Sequence, residues 1–181
     1  IENKFDVSVL QGTTGSGKTL VYFERIKKII ENNKQALILL PEIFLTNDFK
    51  FRFENFFGYE PAIWHSKITP KKKRVIWKGV INKDIKIVIG ARSALLLPFK
   101  KLGIIIVDEE HDTSYKQDEG VIYNARDMAI SRASFEKIPI HLVTSVPSIE
   151  TFNNIQNKKY RHIKIFKRFE NYPLPKTKIV N

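Results

Sequence analysis

Cysteine is absent from all 181 residues, so this chain can build neither a disulfide nor a thiolate zinc site. Four scattered histidines show no metal-ligand spacing. There is no secretory h-region and no apolar run of about eighteen residues, so neither export nor a membrane span is expected. Acidic side chains are the scarce charge: 19 Asp and Glu stand against 31 Lys and Arg, for a net charge of +12. That balance fits a polyanionic partner. It equally fits an A/T-biased coding sequence, since lysine far outnumbers arginine and isoleucine and asparagine are plentiful. No internal repeat or low-complexity tract occurs, and 43% hydrophobic with 28% charged residues is ordinary for one globular domain.

What is present centres on Gly12-Thr13-Thr14-Gly15-Ser16-Gly17-Lys18-Thr19. It follows the apolar run Phe5 to Leu10 and leads into a helical pattern, the context in which G-x-x-x-x-G-K-[ST] cradles phosphates. Glycines let backbone N–H groups converge on an anion, and a helix starting there adds the positive end of its dipole. Lys18 is placed to reach the β- and γ-phosphates, and the Thr19 hydroxyl to bind Mg²⁺.

Far downstream, Leu102 to Val107 is an almost unbroken apolar run, as expected of a strand buried on both faces of a parallel sheet. It ends in Asp108-Glu109-Glu110-His111, where α/β sheets bind ligands. Asp108 is the candidate Mg²⁺ ligand, through water, and Glu109 the group that orients or deprotonates an attacking water.

The rest alternates strand and helix patterns. Tyr22, Phe23, Ile26, Ile29 and Ile30 share one helical face, and Ala36 to Leu40 reads as a buried strand. Thr46 can cap a helix whose aromatics Phe49, Phe53, Phe56 and Phe57 read as core. Pro61 to His65 is a short strand, and Thr69-Pro70 opens a helix whose first turn holds Lys71, Lys72, Lys73 and Arg74. Cations at that end oppose the helix dipole, so the group either meets phosphate or is a solvated face. Ile85 to Ile89 is a strand; the Arg92 and Ser93 after it either face a nucleic-acid backbone or form only a turn. A polar and aromatic loop spans Asp112 to Tyr123, followed by a helix at Arg126 to Ala133, a strand at Ile138 to Thr144, a short helix at Pro147 to Asn154, and a basic tail that reads as a last strand and a linker. This order predicts an α/β fold with three layers, a parallel sheet flanked by helices through right-handed crossovers.

The two principal motifs resemble those of superfamily 2 helicases of the DExH type. Leu39-Leu40-Pro41-Glu42-Ile43, His65-Ser66, Ile89 to Leu95, Asp108 to Gln117 and Tyr123 to Asp127 extend the similarity to the bacterial primosomal replication-restart DNA helicases, over nearly the whole chain. The resemblance implies a RecA-like P-loop NTPase lobe at 1–170 and a linker at 171–181. It also implies ATP and Mg²⁺ as cofactors, a cytoplasmic setting, and partners comprising single-stranded or forked DNA and primosome proteins. His111, Thr144 and Ser145 would couple the nucleotide site to movement. Arg92, Ser93, Tyr115, Lys116 and Tyr123 would contact DNA. The family's Ser-Ala-Thr is here Thr144-Ser145-Val146, keeping the first hydroxyl and losing the third.

The family's DNA-binding domain, cysteine-rich zinc region and second motor lobe lie outside these 181 residues. The isolated lobe is therefore expected to bind nucleotide weakly, hydrolyse it very slowly and not unwind DNA. Two other readings compete: a nucleic-acid-binding module with a vestigial nucleotide site, and a lobe of another superfamily 2 translocase.

Overall fold

The computed structural model describes residues 4–165. The lobe boundary expected at 170 and the linker at 171–181 lie outside the described residues. β1 (Asp6–Gly12) runs into the phosphate loop and α1 (Lys18–Glu31). Then follow β2 (Gln35–Leu39), α2 (Asn47–Phe57), β3 (Ala62–Trp64), α3 (Pro70–Asn82), β4 (Ile87–Gly90) and β5 (Leu102–Asp108). A small antiparallel ribbon of β6 (Lys116–Gln117) and β7 (Tyr123–Asn124) precedes α4 (Ala125–Glu136), β8 (Pro139–Thr144), α5 (Ile149–Gln156) and β9 (Arg161–Ile165). Three short 3₁₀ turns complete the order, one of them at Arg92–Leu96.

Seven strands form one parallel sheet in the order β3-β4-β2-β5-β8-β1-β9. Strand alternation divides its apolar residues between two cores. Ile38, Leu40, Ile104 and Ile106 pack with Tyr22, Phe23 and Ile26 of α1 and Phe49 and Phe53 of α2. Leu37, Leu39, Ile105 and Val107 pack with Ile76 and Val80 of α3 and the alanines 125, 129 and 133 of α4. This is the sandwich of helices on both faces that the alternating pattern predicts.

Local signals act where expected. Thr46 accepts from the Phe49 N–H, and Thr69 from the Lys72 N–H. Several strand and helix ends shift by one or two residues, among them those of β3 and α5, and two differences have a visible cause. β4 begins at Ile87 because the Ile85 N–H is already spent on the Gly79 carbonyl. The segment Asp112 to Tyr123 is no plain loop: Asp112 caps a turn at Thr113–Tyr115, and the β6–β7 ribbon follows. Among the described residues no helix is long and apolar enough to cross a membrane.

Candidate nucleotide site

β1 and β5 end on the same edge of the sheet with β8 between them, so the phosphate loop and Asp108 face one space. Gly15 and Gly17 take φ of +80° and +85°, a region that a Cβ would strain, and Thr13, Thr14 and Gly15 are exposed. The Ser16 hydroxyl is buried with no hydrogen-bond partner, an orphan at the base of the loop. The Lys18 ammonium donates to the Gly12 carbonyl at 2.7 Å and to the Thr13 carbonyl at 3.2 Å. A cation held by carbonyls, an unpartnered hydroxyl and a loop with glycines at its two left-handed positions together fit a bound phosphate chain.

Asp108 is 7% exposed. Its Oδ2 accepts from the Tyr22 hydroxyl at 2.8 Å and its Oδ1 from the Glu109 N–H at 3.0 Å. Burial pushes its pKa up to about 6 against the opposing Tyr22 hydrogen bond, and the Glu109 charge adds to the rise. Glu109 sits in a left-handed turn with φ of +50°. Both acids line a cavity of about 710 Å³ that also takes in residues 14–19 and continues over Leu20, Leu40, Phe44 and Phe56. The Thr19 hydroxyl and Asp108 carboxylate are the hard oxygen donors that suit Mg²⁺, which keeps its remaining positions for phosphate and water oxygens.

Behind the cavity, the coupling candidates meet. His111 Nδ1 lies 2.8 Å from Thr144 Oγ1, and the Thr144 hydroxyl donates to the Val146 carbonyl at 2.8 Å. With that proton spent, Thr144 is an acceptor and His111 Nδ1–H the donor. The departure at Thr144-Ser145-Val146 thus keeps the hydroxyl that is used, and a backbone carbonyl takes the other bond. The Ser145 carbonyl accepts from Gln11 Nε2 at 3.4 Å, which ties this turn to β1.

The sequence reading assigned no role to a third set of groups. Glu110 is buried, and its carboxylate accepts from Arg126 Nη1 at 3.2 Å, the Ser148 N–H at 2.8 Å and Thr151 Oγ1 at 2.9 Å. Ser148 Oγ donates to it at 3.1 Å and caps α5. The signal available in the sequence was Ser148-x-x-Thr151, an N-cap pattern whose polar atoms also serve the acid.

The expected DNA contacts divide. Arg92 Nη1 donates to the Lys116 carbonyl at 2.6 Å, and Ser93 Oγ accepts from Trp64 Nε1 at 3.2 Å. Ser93 and Lys116 are exposed and Arg92 and Tyr123 partly so; Arg92, Lys116 and Tyr123 share the rim where the ribbon meets the turn after β4. Tyr115 is a correction. Its ring is 1% exposed, and its hydroxyl donates to the carbonyls of Asp108 at 2.5 Å and Leu39 at 3.0 Å, so it anchors the ribbon to the sheet instead of facing a partner.

The sequence model of the DEAD/DEAH box helicase family matches residues 1–155. The chain is 48% identical over 174 residues to replication restart protein PriA of Rickettsia conorii, covering 96% of this chain and 27% of that protein. With the Bacillus subtilis protein of the same name it is 38% identical over 175 residues, 97% of this chain and 22% of the relative. It thus spans about a quarter of the length of these relatives. Among solved structures, RecG bound to a three-way DNA junction superposes with a TM-score of 0.62 at 22% identity, over 88% of this chain and 20% of that one, a likeness of fold. With the two motifs facing one cavity on a parallel sheet, the match over residues 1–155 has its structural counterpart, and the chain belongs to the DEAD/DEAH box helicase family.

Proposed function

We propose that this chain is the ATP-binding motor lobe of a DNA helicase that acts in replication restart. The observation that carries the reading is the convergence of Lys18, Thr19, Asp108 and Glu109 on one cavity from the ends of β1 and β5. Lys18 exchanges its two carbonyl partners for β- and γ-phosphate oxygens, and backbone N–H groups of residues 13–19 hold the rest of the chain of phosphates. Thr19 and Asp108 would hold Mg²⁺, which when bound would neutralise charge on the phosphates. Glu109 orients the attacking water and takes its proton. Through His111 and Thr144, a shift at the turn after β5 reaches the end of β8.

Stabilising the transferred phosphoryl group calls for a further cation, an effect of about 10³–10⁵ in rate. A second motor lobe is the proposed donor, reached through residues 171–181, with 1–170 forming this lobe. The replication-restart name of the relatives and the DNA junction bound by the RecG neighbour support DNA as the track; its single-stranded or forked form, and primosome proteins as partners of the whole enzyme, are part of the proposal. On this lobe, the rim of Arg92, Ser93, Lys116 and Tyr123 is the proposed contact. The exposed stripe Lys71, Arg74 and Lys78 on α3 is a second proposed contact, since no ion pair engages these cations among the described residues.

The test is titration of a fluorescent ATP analogue with Mg²⁺ on the chain and on Lys18→Ala, with and without single-stranded DNA. Saturable binding abolished in Lys18→Ala, with DNA binding retained, is the expected result. Equal affinity in both proteins would sink the assignment.

A further inference from the structure

Tyr22 is 1% exposed, and its ring meets Phe23 edge-on at a centroid distance of 5.2 Å inside the core between α1, α2 and the sheet. Phenylalanine would fill that space equally well. The hydroxyl is what needs an explanation, because a phenolic oxygen taken from water into a core costs free energy unless it is bonded. It is bonded to Asp108 Oδ2 at 2.8 Å. Thr19 and Tyr22 are three residues apart on α1, so they share a face, and a helical side chain leans toward the preceding turn. The Tyr22 hydroxyl therefore ties α1, the helix that carries Thr19, to the Asp108 carboxylate at the end of β5.

We propose that Tyr22 is a positioning residue for the Mg²⁺ site, its hydroxyl fixing the Asp108 carboxylate against the helix that carries Thr19. The inference rests on the reading of those two residues as the metal's ligands. Asp108 Oδ1 is held by the Glu109 N–H and Oδ2 by Tyr22, so the carboxylate is fixed in rotation while its remaining lone pairs stay available. Tyr115, approaching from the opposite core, bonds the Asp108 carbonyl and fixes the main chain at the same residue. Hydrogen-bond partners of metal-ligating carboxylates typically govern metal affinity by a factor of about 10–100.

The experiment measures affinity for the fluorescent ATP analogue in EDTA and across a Mg²⁺ series, for the chain and for Tyr22→Phe. Equal affinity in EDTA with a half-saturating Mg²⁺ concentration raised about 10–100-fold is the expected result. The same measurement on Asp108→Asn and on the double variant adds a cycle: Tyr22→Phe should produce no further change once Asp108 is replaced. A Tyr22→Phe protein that matches the parent at every Mg²⁺ concentration overturns the inference alone. So does an equal loss with and without the metal, the mark of a packing role. If the parent chain binds the analogue without any Mg²⁺ dependence, the reading of the site fails, and this inference with it.

Discussion

Asp108 and Glu110 stand two residues apart, and the protein treats them in opposite ways. Asp108 has two donors, an open cavity in front of it and a pKa raised to about 6, chiefly by burial. Glu110 is enclosed by Arg126, Ser148 and Thr151, which satisfy both of its oxygens. The same contrast separates two serines: Ser16 at the phosphate loop lacks a partner, whereas Ser148 both donates and accepts. A polar group left short of partners inside a fold is ready for a ligand; one that is saturated holds elements together. The acidic cluster is therefore one proposed site for chemistry and one knot of structure, joined by a turn.

Removing the knot should give the largest loss of stability. Glu110→Ala removes the buried acid that Arg126, Ser148 and Thr151 all bond and leaves Arg126 only its exposed partners Asp127 and Glu150, a loss of about 3 kcal/mol, the low end for breaking a buried pair, that urea or thermal melts will read. A loss below about 1 kcal/mol, within the range of a surface pair, would erase the distinction between the two acids. Asp108→Asn should act in the other direction. Because the folded pKa of about 6 lies above the ordinary value of 3.8, ionised Asp108 opposes folding. Stability of the ligand-free chain should fall as pH rises from about 4 to 6, with the full penalty, on the order of 3 kcal/mol, present above that window. Asp108→Asn should lose this slope while losing Mg²⁺-dependent nucleotide binding; parallel pH profiles for the two proteins would contradict it. The smallest effect belongs to the surface. Arg74→Glu with Lys78→Glu should weaken single-stranded DNA binding and lower its log–log salt slope by roughly one unit for each phosphate that is no longer neutralised. An unchanged slope would make the α3 stripe a solvated face.

Much of the site was legible because its signals are local. The phosphate loop is one contiguous stretch whose glycines carry the required φ angles, and the apolar run ahead of Asp108 marks a strand buried on both sides. Thr46 and Thr69 cap their helices from three residues away. The aromatics Phe49 and Phe53 are core, as their spacing predicts, whereas the loop of Asp112 to Tyr123 hid its anchor: in sequence Tyr115 looks like any other aromatic among polar residues.

The sequence by itself determined the alternation of helices with the strands of the main sheet, the phosphate-loop motif and the position of the acids at a strand end, because each depends on neighbours in the chain or on a period of two or 3.6 residues. Only the tertiary structure decided which acid is free and which is bound. The Tyr22 hydroxyl reaches Asp108 across 86 residues, and Thr151 reaches Glu110 across 41. Strand order brings such groups together, and strand order follows from which crossovers bury both faces of the sheet, a property of the whole chain that no short window contains.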